Sequence, residues 1–94
     1  MRRKDILLTI LIEECSEVIQ DVTKSLRFGL QDHWKDNPTN LEKLQRELSD
    51  LQGIVEMLID EEILLPIPLN WIHEKKVKID KYLEYSKMVG RLEE

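Results

Sequence analysis

Two pairs of acidic residues, each with a spacing of three, are the residues of this chain best suited to chemistry. Glu14 and Glu17 form one pair, and Glu47 and Asp50 form the other. Residues three apart share one face of an α-helix, so each pair can direct two carboxylates at one point. Two such helices side by side would form a four-carboxylate cluster, which a hard divalent cation stabilises while it also takes up substrate phosphates. The spacing predicts a Mg²⁺ site.

Three amphipathic segments must position these carboxylates, and the chain has no good strand pattern. Thr39 and Glu42 form a capping box that should begin the second helix, and Asn70 is predicted to cap the third. The apolar periodicity and the stop and cap residues predict helices over about 5–28, 40–62 and 71–89.

Glu47 is the acidic residue that solvation explains least well. On the second helix it falls within the apolar stripe, next to Leu44 and Leu51, whereas Asp50 lies just outside that stripe. An ionised carboxylate on a core-facing stripe costs roughly several kcal/mol unless it is paired or binds a metal. The position of Glu47 therefore favours a metal site over a solvated surface.

The first helix has an apolar stripe wider than one antiparallel neighbour can cover. Cys15 lies within this stripe and is predicted to be buried. A chain of 94 residues is one domain, 1–94, and it buries only about 60–65% of its unfolded surface. We therefore expect an all-α fold: a small antiparallel bundle of three main helices, completed by formation of a homodimer or a homotetramer.

Charge and hydropathy exclude several classes of protein. The net charge of −5 argues against general nucleic-acid binding. No segment approaches the ~20 apolar residues that span a bilayer, and the short apolar run after the basic N-terminus lacks a cleavage site. Cys15 has no second cysteine with which to form a disulfide within the chain, which favours a reduced compartment. We expect a cytoplasmic protein without a membrane partner.

The acidic motifs resemble those of a known enzyme family. The string Glu13-Glu14-Cys15-Ser16-Glu17, followed by Glu47-Leu48-Ser49-Asp50, matches the EExxE…ExxD signature of the MazG-like all-α nucleoside triphosphate pyrophosphohydrolases. The flanking residues 26–29 and 46–51 resemble that family as well. The likeness covers roughly residues 8–91 and is closest to the short single-domain members.

This resemblance implies hydrolysis of a nucleoside triphosphate between its α and β phosphates, giving the monophosphate and pyrophosphate. It also implies that Mg²⁺, with Mn²⁺ as a substitute, is held by Glu14, Glu17, Glu47 and Asp50. Any of these four carboxylates could instead help to activate the attacking water. Glu13, which is rotated away from the seam, is a weaker candidate for orienting that water.

Candidate substrate contacts lie outside the acidic motifs. Lys78 and Lys81, one helical step apart, are the best pair to bind the β and γ phosphates, with Lys24 and Arg27 as further candidates. The alternative is that these cations are solvated charges. His33 and Trp34 in the loop after the first helix are candidates for reading and stacking on the base, or else Trp34 packs the loop onto the bundle.

Two other classes of protein fit parts of the sequence. A helical adaptor or binding bundle would explain the amphipathic helices, but it gives no reason for Glu47 to lie in an apolar stripe. A di-iron carboxylate protein would explain the acids, but it requires a histidine three residues after a glutamate, and neither His33 nor His73 has that spacing. The preferred nucleotide is not specified by these residues.

Overall fold

The computed structural model describes residues 1–93, and this part of the chain contains three α-helices and no strand. The helices are α1 (Arg3–Phe28), α2 (Asn40–Asp60) and α3 (Leu69–Met88). The predicted all-α class and the number of helices are confirmed. None of the helices within residues 1–93 combines the length and the apolar character that crossing a bilayer requires.

The helix ends follow local capping chemistry, with two corrections. The Glu42 N–H donates to Thr39 Oγ1 at 3.2 Å, which confirms Thr39 as the cap of α2. The Glu42 carboxylate accepts from the Thr39 hydroxyl at 3.3 Å and not from the Thr39 N–H, so the reciprocal half of the predicted capping box does not form. The prediction that Asn70 caps α3 is wrong. Pro68 occupies that position with φ −63°, and its fixed φ suits the entry to a helix that begins at Leu69. Asn70 lies inside the first turn, where its Nδ2 donates to Glu74 Oε1 at 3.5 Å.

Helices α1 and α2 form an antiparallel hairpin that is fastened at both ends. At the open end, the Arg3 guanidinium donates two hydrogen bonds of 2.8 Å to the Glu61 carboxylate. At the connected end, the buried Asn40 side chain donates to the Gly29 carbonyl at 2.9 Å. Gly29 has a φ of 97°, a conformation that residues with a Cβ rarely adopt. These contacts fix the register in which the two helices face each other.

A small apolar core fills the half of the hairpin next to the Arg3–Glu61 ion pair, which we call the open half. Leu58 has no exposed surface, and it packs with Leu7 and Ile54, which are also buried. Partly buried residues surround these three side chains, namely Leu8, Ile10, Leu11, Leu51 and Ile63. Cys15, predicted to be buried, is exposed, because α2 covers only part of the wide stripe on α1.

Helix α3 packs against neither α1 nor α2 within residues 1–93. It has no buried residue, and apolar side chains such as Trp71, Ile79 and Leu83 are exposed. A single chain therefore consists of a packed hairpin and a separate amphipathic helix. Its three helices do not close into a bundle on their own.

Candidate functional site

The register of the hairpin brings the acidic residues of α1 opposite those of α2. One carboxylate oxygen from each of Glu14, Glu47 and Asp50 lies within 4.8 Å of the other two. Glu17 lies near Glu47, whose pKa it raises more than Glu14 does. Three of the four predicted ligands thus come together with Glu17 beside them, and we call these four residues the acidic cluster. Glu13 is exposed on α1 and lies outside it.

The acidic cluster lacks the partners that buried carboxylates need. Glu14 Oε2 and Glu47 Oε2 are both buried, and neither accepts a hydrogen bond. Within residues 1–93, no Lys, Arg or His nitrogen lies within 4.0 Å of Glu14, Glu17 or Glu47, and Asp50 has only Arg46 at 3.9 Å. A buried carboxylate oxygen without a donor or a cation is unfavourable. An all-oxygen donor set of this kind fits a hard cation such as Mg²⁺.

Crowding changes the protonation of Glu47. The hydrogen bond that Glu17 can form with Glu47 is the largest cause that raises the pKa of Glu47 to about 7, followed by loss of hydration and repulsion from Glu17. Glu14 adds a smaller contribution of the same sign. Two carboxylates can hydrogen-bond only when one of them holds a proton, so the raised pKa means that the pair can share one. Near neutral pH, a proton and a cation therefore compete for the same oxygens.

A cavity of about 500 Å³ lies at the connected end of the hairpin. Trp34 and His33 from the connecting loop and Lys24 from α1 line it, so three of the predicted substrate contacts are brought together. Phe28 and Lys43 line it as well, and we call it the aromatic cavity.

Neither Phe28 nor Lys43 was predicted to contact a substrate. The available signals were the position of Phe28 at the end of α1, next to the loop, and that of Lys43 one helical turn before Glu47. Arg27 is not part of the lining. Its guanidinium carbon lies 5.0 Å from the centre of the Phe28 ring.

The two lysines of α3 lie elsewhere. Lys78 and Lys81 belong to a helix that contacts neither α1 nor α2 in the described chain. Lys81 lines a shallow groove along α3, together with Glu84 and Leu92. Within one chain, these lysines are not brought to the acidic cluster.

No protein-family model matches this chain, and neither the curated proteins nor the solved structures contain a match. The function of the site must therefore be inferred from its residues and their geometry.

Proposed function

We propose that this protein is a Mg²⁺-dependent nucleoside triphosphate pyrophosphohydrolase that forms a nucleoside monophosphate and pyrophosphate. The acidic cluster carries the proposal. Glu14, Glu47 and Asp50 place three oxygens within 4.8 Å of one another. Glu14 and Glu47 each also have a buried oxygen that accepts no hydrogen bond. A purely structural hairpin has no need of such a group, because apolar side chains would fill the seam at lower cost.

The residues of the cluster have distinguishable parts in this reaction. Bound Mg²⁺ would supply neutralisation of the charge on the phosphate oxygens. Glu14 and Glu47 offer their buried oxygens as ligands, and Asp50 offers a carboxylate on an exposed side chain. Glu17 adjoins Glu47 without being one of the three mutually close ligands, so its carboxylate is the best placed to accept a proton from the attacking water.

Turnover of the common dNTPs and NTPs with Mg²⁺ tests the proposal, with monophosphate and pyrophosphate release measured separately. We expect activity in the wild type, its loss in Glu47→Gln, and its retention in Glu56→Gln. Glu56 is an exposed glutamate on the same helix and outside the cluster, so it is the matched control. Release of orthophosphate instead of pyrophosphate would contradict cleavage between the α and β phosphates.

Thermal unfolding gives a second readout that does not depend on activity. Mg²⁺ at a hundred times its Kd should stabilise the wild type by about 2.7 kcal/mol, and it should not stabilise Glu47→Gln. If there is neither turnover nor stabilisation by Mg²⁺, the chain is better described as a helical binding or adaptor bundle. The exposed apolar face of α3 suits that second candidate function.

We further propose that the site works within a homodimer or homotetramer in the cytoplasm. The apolar side chains of α3 and those on the outer face of α1, such as Ile12, Ile19 and Leu26, are exposed in a single chain. Helix α3 has more lysines than acidic residues, whereas the hairpin is strongly acidic, so a second copy can cover both faces with matching charge. Sedimentation equilibrium tests this, and a monomer at micromolar concentration would rule it out.

A further inference from the structure

Lys43 belongs to the lining of two cavities. It lines the aromatic cavity, and it also lines a second cavity of about 410 Å³ whose wall includes Glu47 of the acidic cluster. Lys43 and Glu47 are four residues apart on α2, so they lie on one face of the helix about one turn from each other. Lys43 is common to both linings, so a ligand that extends from one cavity into the other can contact its ammonium group.

The ammonium group of Lys43 is available to an anion. Lys43 is half-buried, and three carboxylates line the second cavity with it, those of Asp21, Glu42 and Glu47. Nevertheless, none of them lies within 4.0 Å of its nitrogen in the part of the chain that the structure describes. A partly buried cation without an ion pair is a favourable contact for a phosphate, because little has to be broken when the phosphate binds.

The aromatic cavity suits a flat ring. Trp34 is 70% exposed and Phe28 is 58% exposed, so both rings have free surface. The volume of about 500 Å³ is typical of sites for small molecules and cofactors. The lining carries the two cations Lys24 and Lys43 against the single carboxylate of Asp32, which favours a ligand that is aromatic at one end and anionic at the other.

We infer that a nucleotide binds with its base against Trp34 and Phe28 and with its α phosphate at Lys43. The rest of the triphosphate then runs along α2 toward Glu47, which brings the bond between the α and β phosphates to the acidic cluster. Lys43 is in this arrangement a phosphate-binding residue that sets the direction of the substrate. The inference relies on the proposed function for the identity of the ligand as a nucleotide, while the path of the ligand comes from the two cavities.

Binding without metal separates this inference from catalysis. Trp34 fluorescence is measured in a Trp71→Phe background, with EDTA present, while the four common deoxynucleosides and their monophosphates are added. We expect at least one monophosphate to quench Trp34 at a concentration at least about tenfold lower than its nucleoside, because a charge-assisted hydrogen bond adds affinity. Lys43→Gln should remove that difference, and Lys43→Arg should keep most of it.

Lys4→Gln is the matched control, because it removes the same charge at the opposite end of the hairpin, and circular dichroism verifies the fold of each variant. The inference is overturned if Lys43→Gln and Lys4→Gln behave alike, or if no monophosphate quenches Trp34. If no monophosphate quenches Trp34 but the wild type still turns over, the proposed function holds and only the binding path is wrong. Quenching that depends on Lys43 without turnover would support the binding path and count against hydrolysis.

Discussion

The two halves of the α1–α2 hairpin have the same antiparallel geometry, but different side chains fill it. In the open half, Leu7, Ile54 and Leu58 meet in a buried core that the Arg3–Glu61 ion pair closes. Further along the same helices, the facing positions carry the carboxylates of the acidic cluster, with buried oxygens that have no donor. Because leucines pack well in one half, the acids in the other half are not required by the fold. We therefore expect one half to stabilise the hairpin and the other to lower its stability, as the proposed metal site requires.

Removing the main core side chain should produce the largest effect. Leu58→Ala deletes a side chain with no exposed surface, and we expect the free energy of unfolding to fall by about 2–5 kcal/mol. Leu65→Ala is the control, because Leu65 is 85% exposed and its truncation should change stability by less than about 0.5 kcal/mol. Urea unfolding at one fixed protein concentration measures both. Equal losses would mean that the open half does not stabilise the hairpin.

The half of the hairpin that contains the acidic cluster should lose stability as the pH rises, which is the opposite of what a salt-bridged carboxylate does. The pKa of Glu47 is about 7 in the folded chain and about 4.5 when unperturbed, so between these values the folded state binds the proton that the unfolded state has lost. Stability from this group is present below pH 4.5 and is lost as the pH rises through 7.

Thermal unfolding in EDTA should therefore show the melting temperature of the wild type falling relative to that of Glu47→Gln between pH 4.5 and pH 7, and Mg²⁺ should reverse the fall. Parallel pH profiles for the two proteins would show that Glu47 titrates normally. The crowding of the acidic cluster would then have no thermodynamic consequence.

The ion pair that closes the open half should have the smallest effect. Arg3→Gln removes the two hydrogen bonds to Glu61, but the Arg3 side chain is 70% exposed, so we expect only a small loss of stability, which shrinks at high salt. Lys4→Gln, one residue further along, controls for the change of net charge. A loss as large as that of Leu58→Ala would show that the ion pair, and not the apolar core, holds the open half together.

The sequence predicted what depends on local pattern. Helical periodicity gave the three helices, the Thr39 hydroxyl marked the start of α2, and the position of Glu47 in an apolar stripe pointed to the place where it meets Glu14 and Asp50. The start of α3 was missed because the fixed φ of Pro68 sets the entry to the helix before Asn70 can. The proximity of Lys43 to Trp34 depends on the path of the connecting loop, which no periodicity specifies.

The hydrogen bond between Asn40 and Gly29 at the connected end of the hairpin affects the order in which the hairpin folds. Contacts near the connection join residues closer in sequence than those of the open half, so they close at a smaller entropic cost and should form first. When the hairpin forms from this hydrogen bond toward the open end, Glu17 and Glu14 contact α2 before Leu7 contacts Leu58. The folding chain therefore experiences the repulsion between these carboxylates while most of the core is still hydrated. Mg²⁺ or a lower pH reduces this repulsion and should act chiefly by raising the refolding rate. Stopped-flow measurements of refolding test this expectation.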